Sequence, residues 1–401
     1  MRSTYDVMVA GHVCLDIIPQ FPDTGATAIG DLLRPGQLVQ MGPAALGTGG
    51  AVSNTGIAMK RLGNRVCFSA RVGDDAFGAI TMGMLQKNGN VAGIRTVPGG
   101  VSSYSIVVAP PRIDRMFLHN PGTNNEYGTD DLDTNLVSLG RLFHFGYPVL
   151  MRRMYQDEGR ELIHLFKTAK KTRTTTSCDL AMPDPASEAG MAPWPKILKE
   201  VLPYVDIFLP SVEEALFVLD RERFLKMKHE HGGVELFDLL SPEDYSDLSG
   251  RLLALGSKIV SLKSGYRGFY LRTGSREALK NMGPAAPADL NNWADRELWC
   301  PSFTVSSIAS ATGAGDCSIA GFLTTLLRKG TVEDSLRIAN CLGWQNVQTF
   351  DATSGIRSWE ETQSLLRAGM AMNEITVDAP GWKWNRDVGL WSGPDDRLSA
   401  M

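Results

Sequence analysis

Short apolar runs of strand character recur at residues 7–10, 66–72, 142–145, 175–179, 207–209 and 259–262, and most are separated by segments long enough to form a helix. This alternation leaves the chain little choice. Strands reached through helical crossovers lie parallel, and a parallel sheet needs helices over both of its faces. The predicted fold class is therefore α/β, a mainly parallel sheet flanked by helices. In such sheets ligands collect in the crevice at the carboxyl ends of the strands, so the loops that leave these strands are where chemistry is to be sought.

Two stretches break the rhythm with β character of their own. Residues 100–120 read as strand, turn and strand, with Tyr104, Ile106 and Val108 before the Pro110-Pro111 turn and Met116, Phe117 and Leu118 after it. They imply a small β-sheet projecting from the main body as a lid, and the Gly- and Pro-rich residues 17–45 would supply further strands to it. Residues 221–250 and 275–299 are polar and read as surface insertions within a main domain covering 1–375. The remaining tail, 376–401, carries Trp382, Trp384 and Trp391, which suit packing on the body or on a neighbouring subunit; the sequence leaves both open.

Several function classes are excluded early. A formal net charge of -4 and the absence of any dense Lys/Arg stripe argue against a nucleic-acid partner, and the basic residues at 167–173 read as the end of a helix. The N-terminal apolar stretch stops at Gly11, too short for a signal-peptide core or a bilayer span, so a cytoplasmic location and no membrane partner are expected. Six cysteines are scattered without a C-x-x-C pair, as expected of reduced core thiols with no structural metal. His12, His119 and His144 share no metal-ligand spacing and read as hydrogen-bonded histidines. No G-x-x-x-x-G-K-[ST] occurs, and Gly47-x-Gly49-x-x-Val52 fails the third position of the dinucleotide fingerprint, which counts against a nicotinamide oxidoreductase.

Chemistry concentrates in two glycine-rich segments. Ser310-Ala311-Thr312-Gly313-Ala314-Gly315-Asp316 runs into Ile319, Phe322, Leu323, Leu326 and Leu327 at helical spacing. A Gly-Ala-Gly turn feeding a helix leaves amide N–H groups free at the positive end of the helix dipole, which makes an anion site. Asp316, in the first turn, reads either as a helix-start cap or as a base beside a bound phosphate; the small residues ahead of it bring backbone close to a ligand, which a cap does not need. The second segment, Gly47-Thr48-Gly49-Gly50-Ala51-Val52-Ser53-Asn54, also opens a helix, and alone it reads equally as a plain turn.

Together the two segments resemble the signatures of the ribokinase (PfkB-type) carbohydrate kinase family. Gly49, Gly50 and Asn54 match its Gly-Gly-x-x-x-Asn sugar-contact motif, and Gly313, Ala314, Gly315 and Asp316 match the end of its Asp-Thr-x-Gly-Ala-Gly-Asp motif, whose first two positions are Ser310 and Ala311 here. Val72-Gly73-Asp74-Asp75 and the following Gly78 are similar to a further family element, and Phe117 to Asn124 to its lid strand. Gly11 to Asp16 resembles the exit of the first strand, whose Asp contacts sugar hydroxyls; Lys263, Gly265 and Gly268 resemble the nucleotide loop, and Asn340 a nucleotide-side helix position. The Asn-x-x-Glu magnesium motif appears as Ser211-Val212-Glu213-Glu214, which keeps the Glu and loses the Asn.

The resemblance, which spans about residues 5–360, implies a ribokinase-like fold and ATP-dependent phosphorylation of a hydroxyl on a sugar or sugar-derived molecule. Asp316 would be the base, with Gly313, Ala314 and Gly315 as the anion hole. Asp16, Gly49, Gly50 and Asn54 would hold the acceptor, Lys263, Gly265, Gly268 and Asn340 the ATP, and Glu214, through water, Mg²⁺. A homodimer formed through the lid is expected, because a projecting sheet otherwise leaves open edges and an apolar face in water. Ser310 and Ala311 also remove oxygens from the region that binds a monovalent cation in potassium-activated relatives, so little K⁺ activation is expected. A nucleoside acceptor, or a non-catalytic sugar or nucleotide binder, is the competing reading.

Overall fold

Successive residues of the first strand feed two separate apolar cores. Met8 and Ala10 pack with Phe143, Phe145, Phe166 and Leu216 on one face of the sheet, while Val7 and Val9 pack with Val52, Phe68, Ile319 and Leu323 on the other. A strand buried on both faces is what a parallel sheet under two helix layers requires. The structure, a computed structural model, describes residues 4–113 and 115–400; residues 1–3, Asp114 in the expected lid segment and Met401 lie outside the described residues.

The strands in chain order are β1 (Val7–Gly11), β2 (Cys14–Pro19), β3 (Ala44–Gly49), β4 (Val66–Gly73), β5 (Asn90–Val97), β6 (Tyr104–Val108), β7 (Met116–Asn120), β8 (Leu142–Gly146), β9 (Thr175–Asp179), β10 (Ile207–Phe208), β11 (Ile259–Lys263), β12 (Phe269–Thr273), β13 (Glu297–Cys300), β14 (Lys383–Asn385) and β15 (Leu390–Ser392). The large sheet has the order β14-β15-β13-β12-β11-β10-β9-β8-β1-β4-β5. From β5 to β11 every neighbour is parallel, and from β11 outward every pair is antiparallel. The change of sense follows from the connection: residues 264–268 form a tight turn between β11 and β12, too short for a crossover helix. Gly11, Gly146 and Asp179 stand side by side at the carboxyl ends of β1, β8 and β9, so the residues just beyond them share one rim.

The small sheet, of order β3-β2-β6-β7, is set apart from the large one. Its period of two gives it two different faces. Leu46, Ile17, Ile106 and Leu118 form one cross-strand row, and the adjacent row is Gly47, Asp16, Ser105 and His119. The strands expected within 17–45 lie at its margins instead, because β2 starts earlier, at Cys14, and β3 runs on to Gly49. Pro22, Pro35, Gly25, Gly30 and Gly36 interrupt the middle, leaving one helical turn at Ile29–Leu32.

Both polar stretches carry ordered elements that reach the core. Residues 221–250 hold the helix Arg221–Glu230 and most of Pro242–Ala254, which bury Phe224, Tyr245 and Leu248; residues 275–299 end in β13, with Trp293 and Trp299 fully buried. Their many polar residues lie on outward faces, which composition alone does not separate from insertion. The tail packs on the body. β15 pairs with β13, setting Trp391 beside Trp299, and the Trp382 ring lies 6.0 Å from that of Trp299.

Candidate active site

Asp316 lies in the first turn of the helix Ala314–Leu327 and is 2% exposed. Its carboxylate is not a cap, since the bonds it accepts come from other elements. Asn54 Nδ2 donates to Oδ2 at 2.9 Å and Tyr147 Oη to the same oxygen at 2.7 Å, while Thr55 Oγ1 lies 3.4 Å from Oδ1. Burial pushes the Asp316 pKa up, and the donors from Asn54 and Tyr147 offset part of that rise.

Ahead of it, Gly313 holds φ +78°, and a Cβ there would meet Ala352 Cβ at 2.7 Å, so this turn has room and torsion for glycine alone. The Ala314 amide donates to Ala311 O at 3.2 Å and is therefore spent within the turn. Of the three residues expected to form the anion hole, the N–H groups of Gly313 and Gly315, like that of Asp316, have no acceptor among the described residues, while that of Ala314 does.

A cleft of about 350 Å³ opens onto Gly313, Gly315 and Asp316 and is walled by Tyr147, Asp179, Glu214 and Lys263. Lys263, at the end of β11, donates to the Asp179 carboxylate and to Leu209 O at 2.7 Å. Burial opposes its charge, but the carboxylates of Asp179, Glu214 and Asp316 outweigh that and raise its pKa. Glu214 lines the cleft too, with one oxygen committed: Ser211 N donates to Glu214 Oε2 at 2.7 Å and Glu214 N to Ser211 Oγ at 3.1 Å, a capping box that gives Ser211 its own purpose.

Gly265 borders the same cleft, whereas Gly268 and Asn340 do not line it. Asn340 is buried and its Nδ2 donates to Cys300 O at 2.9 Å and Pro301 O at 3.1 Å; Gly268 packs on the same carbonyl, which a Cβ would approach to 2.1 Å. Both brace the exit of β13.

On the lid side, Gly50 is the N-cap of the helix Ala51–Arg61, which carries Asn54. Gly49 lies against Asp16 so closely that a Cβ would sit 2.4 Å from Asp16 Oδ2. Burial pushes the Asp16 carboxyl up to about 6, with Cys14 Sγ 3.3 Å from Oδ1. His12 Nε2 meets His119 Nε2 at 3.2 Å, joining body to lid, and His119 Nδ1 lies 2.9 Å from Ser105 Oγ. Burial lowers the His12 pKa to about 3, so the ring is neutral. The histidines are less satisfied than expected, because buried His12 Nδ1 and His144 Nε2 have no partner among the described residues.

Sequence reasoning passed over Tyr147, Thr55 and Asp179. Asp179 had a signal, an acidic residue ending a strand-like run; Tyr147 and Thr55 had none. The free amides and Lys263 form a cationic wall that suits phosphate oxygens, while among the described residues no group of three or more His, Cys, Asp or Glu side chains is placed to hold a metal ion. Among the described residues, no helix is long and apolar enough to cross a membrane.

Comparison with known proteins adds to this geometry. The sequence profile of the pfkB family carbohydrate kinases matches residues 6–359. An uncharacterized sugar kinase of Archaeoglobus fulgidus is 22% identical over 300 residues, which cover 75% of this chain and 98% of that protein. Among solved structures, Arabidopsis thaliana ribokinase complexed with ribose and ATP superposes with a TM-score of 0.66 at 17% identity, covering 92% of this chain and 99% of that one. Fructokinase with bound ATP from Xylella fastidiosa gives 0.66 at 16%, covering 90% and 98%. At these identities the structural likenesses establish the fold.

Proposed function

The chain belongs to the pfkB family of carbohydrate kinases, and from that premise we propose that it transfers the γ-phosphoryl group of ATP to a hydroxyl of a neutral or acidic sugar, with Asp316 as general base. The observation that carries this reading is the convergence on one carboxylate: Asp316 is desolvated, held by Asn54 from the acceptor side, and preceded by the Gly313 and Gly315 amides, which have no acceptor among the described residues. The acceptor oxygen bonds to the γ-phosphorus as the bond to the bridging oxygen of ADP breaks, and the hydroxyl proton passes to Asp316. Charge on the transferring group is spread over three equatorial oxygens, which the Gly313 and Gly315 amides and Lys263 would stabilise; their lining of one cleft and the free amides support this.

Asp16, Gly49, Gly50 and Asn54 would hold acceptor hydroxyls, and Gly265 and Lys263 the nucleotide. Gly268 and Asn340 would act on the nucleotide through the loop they brace. Mg²⁺, held through water by Glu214, would neutralise phosphate charge. Six free, buried cysteines suit a reducing, cytoplasmic setting.

The test is ADP release, measured by a coupled assay over a panel of sugars, sugar acids and nucleosides. We expect turnover with a sugar or sugar acid. The Asp316→Asn variant should keep its fold and nucleotide affinity and lose roughly 10²- to 10⁴-fold in kcat. Turnover of nucleosides alone would move the acceptor class, and binding without ADP release from any acceptor would make the chain a binder.

A further inference from the structure

We propose that Tyr147 is the positioning residue for the base: its phenol fixes Oδ2 of Asp316 and leaves Oδ1 as the oxygen that takes the acceptor proton. The inference rests on the kinase reading above. Tyr147 follows the last residue of β8 and faces the cleft, and its Oη donates to Asp316 Oδ2 at 2.7 Å, alongside the 2.9 Å bond from Asn54. With two donors on Oδ2 and only the longer Thr55 contact at 3.4 Å on Oδ1, the two oxygens are inequivalent.

The backbone of Tyr147 marks this placement as imposed. It holds φ 65°, ψ 44° immediately before Pro148, a combination that both its bulk and the following proline disfavour. Strain of this kind persists where the surroundings over-determine it, and it clusters at functional sites. What holds it here is the Tyr147 amide bonded to Asp179 O at 3.3 Å at one end and the phenol bonded to Asp316 at the other. Burial and the nearby carboxylates of Asp316 and Asp179 push the phenol pKa far above its usual value, so the hydroxyl keeps the proton that it donates.

The groups facing this pair are few. Asn54 and Thr55 come from the helix Ala51–Arg61, Lys263 from β11, Asp179 from β9, Glu214 from the helix Val212–Leu219, and the neutral His12 ring lies 6.2 Å from that of Tyr147. A donor to the carboxylate lowers its pKa, so removing the phenol hydroxyl should raise the Asp316 pKa and move the acidic limb of kcat/KM to higher pH.

The experiment is the pH profile of kcat/KM for the acceptor in the wild type, Tyr147→Phe and Asp316→Asn, with thermal melts to establish folding. Tyr147→Phe keeps ring and backbone and loses only the hydroxyl. We expect its acidic limb roughly one pH unit higher, a roughly tenfold loss below the limb, recovery toward wild-type rate above it, and an unchanged KM for ATP. A limb that coincides with that of the wild type, while Asp316→Asn is inactive, overturns the role of Tyr147 and leaves the base standing. An active Asp316→Asn variant overturns both. Should Tyr147→Phe fail to fold, 3-fluorotyrosine at position 147, a stronger donor, must move the limb to lower pH; an unmoved limb sinks the proposal.

Discussion

Asp16 is the residue that the fold holds at a visible cost. Its folded pKa of about 6 lies above the ordinary carboxylate value, so the native state binds its proton more tightly than the unfolded chain does. Such a group stabilises the fold fully below about pH 4 and loses that contribution as pH rises through about 6. Asp16→Asn should therefore raise the melting temperature at pH 7, by the equivalent of up to about 3 kcal/mol, with the gain shrinking to nothing between about pH 6 and pH 4; melts across that window would show it. The same change should weaken acceptor affinity, which isothermal titration would read. A second residue-scale expectation concerns Ser310, whose hydroxyl accepts from the Arg115 guanidinium of the lid. Asp351, a candidate substitute carboxylate in the downstream loop, spends Oδ1 on the amides of Thr353 at 2.8 Å and Ser354 at 2.6 Å. With a fixed cation beside a neutral hydroxyl, K⁺ should change turnover less than twofold at constant ionic strength; a several-fold saturable rise would refute this. The residues legible in the sequence were those with a backbone reason for their neighbours, Asp316 behind its glycines and Asn54 behind Gly49 and Gly50. Tyr147 was illegible because its role comes from a contact 169 positions away, and no local pattern encodes that.

The lid is the element whose two faces make opposite demands. Its inner row carries Asp16, Ser105 and His119, while Leu46 and Leu118 on the outer row are 47% and 58% exposed, with Ile17 and Ile106 half-buried between them. An apolar stripe across four strands invites a second copy of the same stripe, closing the open edges of both. Light scattering at micromolar concentration should give a dimer, and Leu46→Asp combined with Leu118→Lys should give a monomer; a wild-type monomer would refute this pairing. The strands β6 and β7 were legible from their alternation around two prolines. β2 and β3 lie further out than residues 17–45 suggest, since glycine and proline mark where a strand stops and not which side of the break it occupies.

At the scale of the whole molecule, the segment beyond residue 376 completes the large sheet. Asp396 is 2% exposed and its Oδ2 accepts from Arg296 Nε at 3.0 Å and from the Glu297 amide at 3.2 Å, while Arg296 also pairs with Glu333 at 2.8 Å. Removing one member of a buried ion network leaves its partner uncompensated. Asp396→Ala should cost about 2–3 kcal/mol in urea unfolding, with Glu333 retaining part of the charge balance, and should leave both KM values near wild type; a parallel loss of ATP affinity would tie the tail to the nucleotide loop. The tryptophans announced that the tail packs somewhere, but the choice between its own body and a neighbour depended on a free edge at β13, which only the assembled sheet reveals. The bond between Asn54 and Asp316 joins positions 262 residues apart and ties the helix Ala51–Arg61 to the helix Ala314–Leu327. Closing so long a loop comes late in folding, after local strands and helices have formed. During refolding from urea, the far-ultraviolet signal should return first and catalysis last, so the active site is also a clock that reads the final step of its own assembly.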